Sequence, residues 1–75
     1  MDAIPYTTRG GARQFRPRVA EDEIEDGAGF CLACGAEAYG VEPDARRYPC
    51  ESCQAMKVYG LEELAIMGLL EMGGD

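Results

Sequence analysis

Cys31-Leu32-Ala33-Cys34 and Cys50-Glu51-Ser52-Cys53 are two cysteine pairs with the same two-residue spacer, and fifteen residues lie between them. A two-residue spacer lets each pair grip one edge of a tetrahedron from a tight turn, which is metal-ligand spacing. The chain has only 75 residues, and a domain of that size struggles to bury enough apolar surface to outweigh its conformational entropy. Something must staple it, and these cysteines are the only candidates. Zn²⁺ is satisfied by four thiolate sulfurs at about 2.3 Å. Cys31, Cys34, Cys50 and Cys53 are therefore the expected ligands of one structural Zn²⁺ per chain. Gly35 after the first pair supplies backbone freedom for its turn, whereas Gln54 stands at the matching place after the second.

Four cysteine ligands close the coordination shell and leave no position for water or substrate, which marks a structural site rather than a catalytic one. A rubredoxin-like iron site for one-electron transfer is the rival metal reading. Rubredoxins resemble this chain only in the cysteine pairs, since the insert is much shorter here and the chain has no Trp. Other catalytic constellations are absent from the sequence. There is no His to serve as a base near neutral pH. Ser52 has no base beside it, Glu62 and Glu63 would diverge by about 100° on a helix, and Gly10-Gly11 is no phosphate-cradling motif. The expected protein is not an enzyme.

Working outward, Glu37 to Val41 and Arg46 to Tyr48 read as short strands joined by the turn Glu42-Pro43-Asp44-Ala45, and Met56 to Tyr59 as a third. Asp44 with Arg46 or Arg47 either ties that turn together or offers a recognition surface of mixed charge. Gly60 is placed to cap a helix over 61–72, with Glu62 and Glu63 favourable in its first turn and Gly73-Gly74 as its stop. Leu61, Leu64, Ala65, Gly68, Leu69 and Met72 fall on one stripe of that helix. Ile66, Met67 and Leu70 fall on the other side, more apolar surface than one small module covers. That second side is expected to serve homodimerisation or a protein partner, or else simply to be exposed. The fold class is thus a small metal-stapled α+β protein, a zinc ribbon of two Cys knuckles and short β-strands at 29–60 followed by a C-terminal α-helix at 61–72.

Residues 1–28 hold few large apolar side chains and segregated charge, Arg9, Arg13, Arg16 and Arg18 first, then Glu21, Asp22, Glu23, Glu25 and Asp26. Such a segment reads as a flexible arm. The plainer account is a solvated tail; the sharper one is a contact arm in which the arginines and Phe15 meet an acidic protein or a nucleic acid.

The chain carries seven basic and fourteen acidic side chains, a net charge of −7. Four thiolates with one Zn²⁺ would add about −2 more. Such a balance repels phosphate backbones over most of the surface. No apolar run reaches the length of a signal peptide or of a membrane span of roughly 20 residues. A cytoplasmic location is expected, and in a reducing cytosol four cysteines in a short chain favour metal over disulfides.

Gly29-Phe30-Cys31-Leu32-Ala33-Cys34-Gly35, Gly40-Val41-Glu42-Pro43-Asp44-Ala45-Arg46, Tyr48-Pro49-Cys50-Glu51-Ser52-Cys53 and Val58-Tyr59-Gly60-Leu61-Glu62-Glu63-Leu64 together resemble small zinc-ribbon proteins encoded by bacteriophages and prophages. The resemblance spans Gly29 to Leu70 and does not reach the N-terminal segment. It implies the metal and a viral origin, with the host cytoplasm as the setting, and implies little about activity. The expected function is a non-enzymatic protein-interaction module, through self-association or a host or phage protein. The alternative is a nucleic-acid-binding ribbon in transcription control that uses the Arg arm with Arg46, Arg47 and Lys57. A third reading makes the acidic surface an imitation of nucleic acid.

Overall fold

The N-terminal segment is a β-hairpin, not a free arm. In the computed structural model, which describes residues 1–23 and 27–72, β1 (Asp2–Thr7) pairs antiparallel with β2 (Arg13–Val19), from Asp2 opposite Arg18 to Thr7 opposite Arg13. The turn closes through Thr8, whose N–H donates to the Ala12 carbonyl and whose carbonyl and hydroxyl accept from Gly11 and Ala12. Strand period explains what composition hid. Phe15, Pro17 and Val19 alternate with Gln14, Arg16 and Arg18 along β2; Pro17 and Val19 are buried and Phe15 half-buried. A lone two-stranded hairpin is marginal in water, so this one is ordered by the surface it covers. A short 3₁₀ turn at Glu21–Glu23 follows, while Glu25 and Asp26 of the expected acidic block lie outside the described residues.

The covered surface belongs to a second sheet. β3 (Gly29–Cys31), β4 (Glu37–Ala38), β5 (Tyr48–Pro49) and β6 (Met56–Gly60) are ordered β4-β3-β6-β5, with antiparallel neighbours throughout. β3 was not expected, and the strands expected at 37–41 and 46–48 shrink to residue pairs. Phe30 stands opposite Tyr59 and Cys31 opposite Val58, so the two pairs point to opposite faces of the sheet. On one face Phe30 and Tyr59 join Ala28, Leu32, Leu61 and Leu64 in the main core, against which Phe15 and Met1 pack. The Phe15 N–H also donates to the Leu32 carbonyl at 2.8 Å. On the other face Val58 joins Cys31 and Cys50.

The helix is half its expected length. Here α1 spans Leu61–Ile66, capped at Gly60 and with Glu62 and Glu63 in its first turn. It stops because Gly68 takes the left-handed conformation (φ 76°). The Gly68 N–H donates to Ala65 O and the Leu69 N–H to Leu64 O, the paired bonds of a Schellman ending, sealed by Leu64 and Leu69 in one apolar cluster. The chain then reverses. Leu70 packs on the core instead of extending a second helix face, and β7 (Glu71–Met72) runs parallel to β2, completing the sheet β1-β2-β7. The expected stop at Gly73-Gly74 lies outside the described residues. Leu61 and Leu64 are buried as expected, Ala65 is exposed, and Ile66 and Met67 stay 73% and 42% exposed. No helix among the described residues is long and apolar enough to cross a membrane.

The loop between the cysteine pairs is locked onto the start of α1. The Ala45 N–H closes the expected turn on Glu42 O, Gly60 N–H reaches Ala45 O, and Glu63 N–H reaches Pro43 O at 3.1 Å. That last bond satisfies a helix N–H that glycine at the cap cannot. Arg46 completes the clasp at 3.0 Å from the buried Glu63 carboxylate; the tie runs to the helix, not to Asp44. A Cβ on Gly60 would sit 2.2 Å from Pro43 O, whereas one on Gly68 meets nothing within 4 Å. Gly60→Ala is expected to cost about 3 kcal/mol, and Gly68→Ala only the left-handed strain of about 1 kcal/mol. Thermal unfolding followed by circular dichroism compares the two, and equal losses would contradict this packing.

Candidate metal centre

Two β-hairpins carry the cysteines, and they are built alike. β3 runs into Cys31 and returns as β4; β5 runs into Cys50 and returns as β6. In the first, Cys31 N–H donates to Ala36 O and Gly35 N–H to Cys31 O, both at 2.9 Å. In the second, Cys50 N–H donates to Ala55 O at 2.9 Å and Gln54 N–H to Cys50 O at 2.8 Å. The same bonds at the same offsets mean the same turn twice. Each turn needs one left-handed residue, Gly35 at φ 81° and Gln54 at φ 65°. Gln54 therefore adopts the glycine geometry despite its Cβ, at some cost in strain. Gly35 meets a further demand, because a Cβ there would lie 2.9 Å from the Ala3 Cβ of the N-terminal hairpin.

Pairing of β3 with β6 brings the turns together. The Sγ atoms of Cys31, Cys34, Cys50 and Cys53 all lie within 4.8 Å of one another. Cys31 to Cys53 is 3.7 Å and Cys34 to Cys50 is 3.6 Å. A tetrahedron with bonds of about 2.3 Å has edges of about 3.8 Å, so both contacts across the two hairpins match. The thiols are free, and the donor set suits a soft, tetrahedrally coordinated ion. The four expected residues thus form one four-sulfur cluster positioned to hold a metal ion. Among the described residues it is the one such group of potential ligands.

The sulfurs differ in charge preference. The N–H groups of Cys53 and Ser52 aim at Cys50 Sγ, at 3.5 and 3.4 Å, and pull its pKa down to about 6. Burial pushes the Cys31 thiol up to about 12 and also raises that of Cys34. Cys50 therefore offers a ready thiolate to an incoming cation, while Cys31 and Cys34 give up protons on binding.

The other residues singled out by the sequence do not gather here. Arg18 reaches Glu71 at 3.0 Å and Arg16 the same carboxylate at 4.0 Å, across the sheet that β7 completes. Arg9 and Arg13 are exposed on the hairpin and Arg47 on the loop. Sequence reasoning missed β3 and the hairpin packed on the first knuckle; the alternation Phe15, Pro17, Val19 was the available signal.

Comparison with known protein families, with curated proteins and with solved structures finds no match to this chain. The centre is accordingly read from its own residues.

Zn²⁺ affinity is expected to strengthen as pH rises, because the ion displaces the protons of Cys31 and Cys34. Calorimetry in buffers of different ionisation enthalpy counts the protons; a pH-independent affinity would rule out thiol ligation.

Proposed function

We propose that this chain is a non-enzymatic zinc-ribbon protein that acts as a protein-interaction module. The closed four-sulfur shell carries the reading: every ligand position around a tetrahedral ion is taken by cysteine, so the ion serves the fold. Zinc is favoured over iron by the short insert and the lack of Trp. Because the sulfurs converge only in the folded chain, metal binding becomes folding free energy, about 10–16 kcal/mol in zinc-finger peptides. The likeness to phage-encoded zinc ribbons adds a viral setting in a host cytoplasm.

The interaction surface is the exposed end of α1. Ile66 and Met67 stand out from the core, and the charge of −7 opposes a second copy more than it opposes a basic partner. Leu70, turned inward, takes no part. A nucleic-acid role through the exposed Arg9 and Arg13 is the second reading. It is weakened because Arg16, Arg18 and Arg46 are held by carboxylates.

Native mass spectrometry with and without a chelator is the test. One zinc per folded chain is expected, with loss of the circular dichroism spectrum on chelation and in Cys50→Ser. An iron-bound or disulfide-bonded mass overturns the metal assignment. Ile66→Asp with Met67→Asp should leave zinc content intact and abolish association, whereas binding to duplex DNA that weakens steeply with salt would favour the second reading.

A further inference from the structure

The sheet face opposite the core carries the second apolar cluster, in which Cys31, Cys50 and Val58 are buried beneath half-buried Ala38, Val41 and Tyr48. Beside the metal centre it forms a groove of about 430 Å³, floored by Val58, walled by Val41, Tyr39 and Tyr48, and reaching the ligand Cys50. Tyr39 is 64% exposed although its neighbours Ala38 and Val41 are half-buried. The groove crosses the sheet from one edge strand, β4, to the other, β5. Its lining holds two carboxylates, Glu37 and Glu51, and no basic side chain. Glu37 accepts a hydrogen bond from the Tyr39 hydroxyl, which couples one aromatic wall to one charge.

Tyrosine rings attract a cation by their faces, and carboxylates pair with it directly. Apolar walls meanwhile accept the side chains on either side of that cation in an extended chain. The geometry points to a docking groove for an extended arginine- or lysine-bearing peptide segment of another protein, its cation held by Tyr39, Tyr48, Glu37 and Glu51 and its flanking apolar side chains over Val58. The inference builds on the interaction-module reading but uses a face separate from Ile66 and Met67. Complementarity of charge selects this occupant: a groove with two carboxylates and no basic side chain in its lining, on a chain of net −7, draws a basic segment and repels an acidic one. Because Cys50 lies at the groove and its turn carries one of the four clustered sulfurs, the zinc-loaded chain is the form in which the groove is tested.

The test uses zinc-loaded, ¹⁵N-labelled full-length chain titrated with a fluorescein-labelled hexapeptide of alternating leucine and arginine, and with its counterpart in which glutamate replaces arginine. Saturable binding of the arginine peptide is expected, with amide shifts centred on Tyr39, Tyr48, Glu51 and Val58. The glutamate peptide should bind at least about tenfold more weakly. Tyr48→Ala and the pair Glu37→Gln, Glu51→Gln should each weaken binding by about 3- to 30-fold. Ile66→Asp should leave it unchanged, and the zinc content of every variant, read by native mass, confirms that the groove variants still fold. Equal binding of both peptides, shifts centred on Ile66 and Met67, or no shift in zinc-loaded protein overturns the inference while leaving the zinc and helix-end readings standing. Self-association lost on Arg9→Glu with Arg13→Glu would also overturn it, by giving the groove to the hairpin tip of a second copy.

Discussion

Convergence of four sulfurs is the constraint on which the rest of this molecule depends. Two hairpins must arrive at one point, each through a turn containing a left-handed residue, and each with its cysteine N–H bonded across the turn. Only the pairing of β3 with β6 sets the two turns side by side. That pairing also fixes the sheet's two faces, Phe30 and Tyr59 toward the core and Val58 toward the cysteines. The geometry of the sulfur cluster and that of the core are therefore one decision, made by the register of a single strand pair.

The core that results is too thin to close on itself. A six-residue helix supplies Leu61 and Leu64, and the remaining cover comes from the two ends of the chain. The N-terminal hairpin lays Phe15 over the Phe30 cluster and fits against Gly35 of the first knuckle. The C-terminus, turned back at Gly68, adds Leu69 and Leu70 and then docks on β2. Arg16 and Arg18 meet Glu71 on that edge; being part-exposed, these pairs fix register more than they add stability. Arg46 with the buried Glu63 holds the inter-knuckle loop over Gly60 in the same spirit.

Charge is sorted by these contacts. Arginines that read as a basic arm are spent in part on internal carboxylates, and the surface left is acidic. Among the described residues, large apolar side chains stay exposed at the helix end, Ile66 and Met67, and at Tyr39, Met56 and Met72. Tyr39 and Tyr48 stand with Glu37 and Glu51 in the groove beside the four-sulfur cluster.

The cysteine spacing predicted, by itself, that four sulfurs would meet at one point, because ligand spacing is a local rule written in residue type and offset. The turn at Glu42 to Ala45, the β6 strand and the helix start at Gly60 were legible for the same reason: each is set by neighbours in sequence. Tertiary structure alone decided the hairpin, since Phe15, Pro17 and Val19 form a strand only when a core lies beneath them to repay the ordering of a Pro- and Arg-rich segment. It alone shortened the helix as well. The segment 61–72 fits a continuous helix locally, but packing Leu69 and Leu70 against the main core cluster and pairing Glu71 with β2 require a reversal, and Gly68 is the residue able to make it.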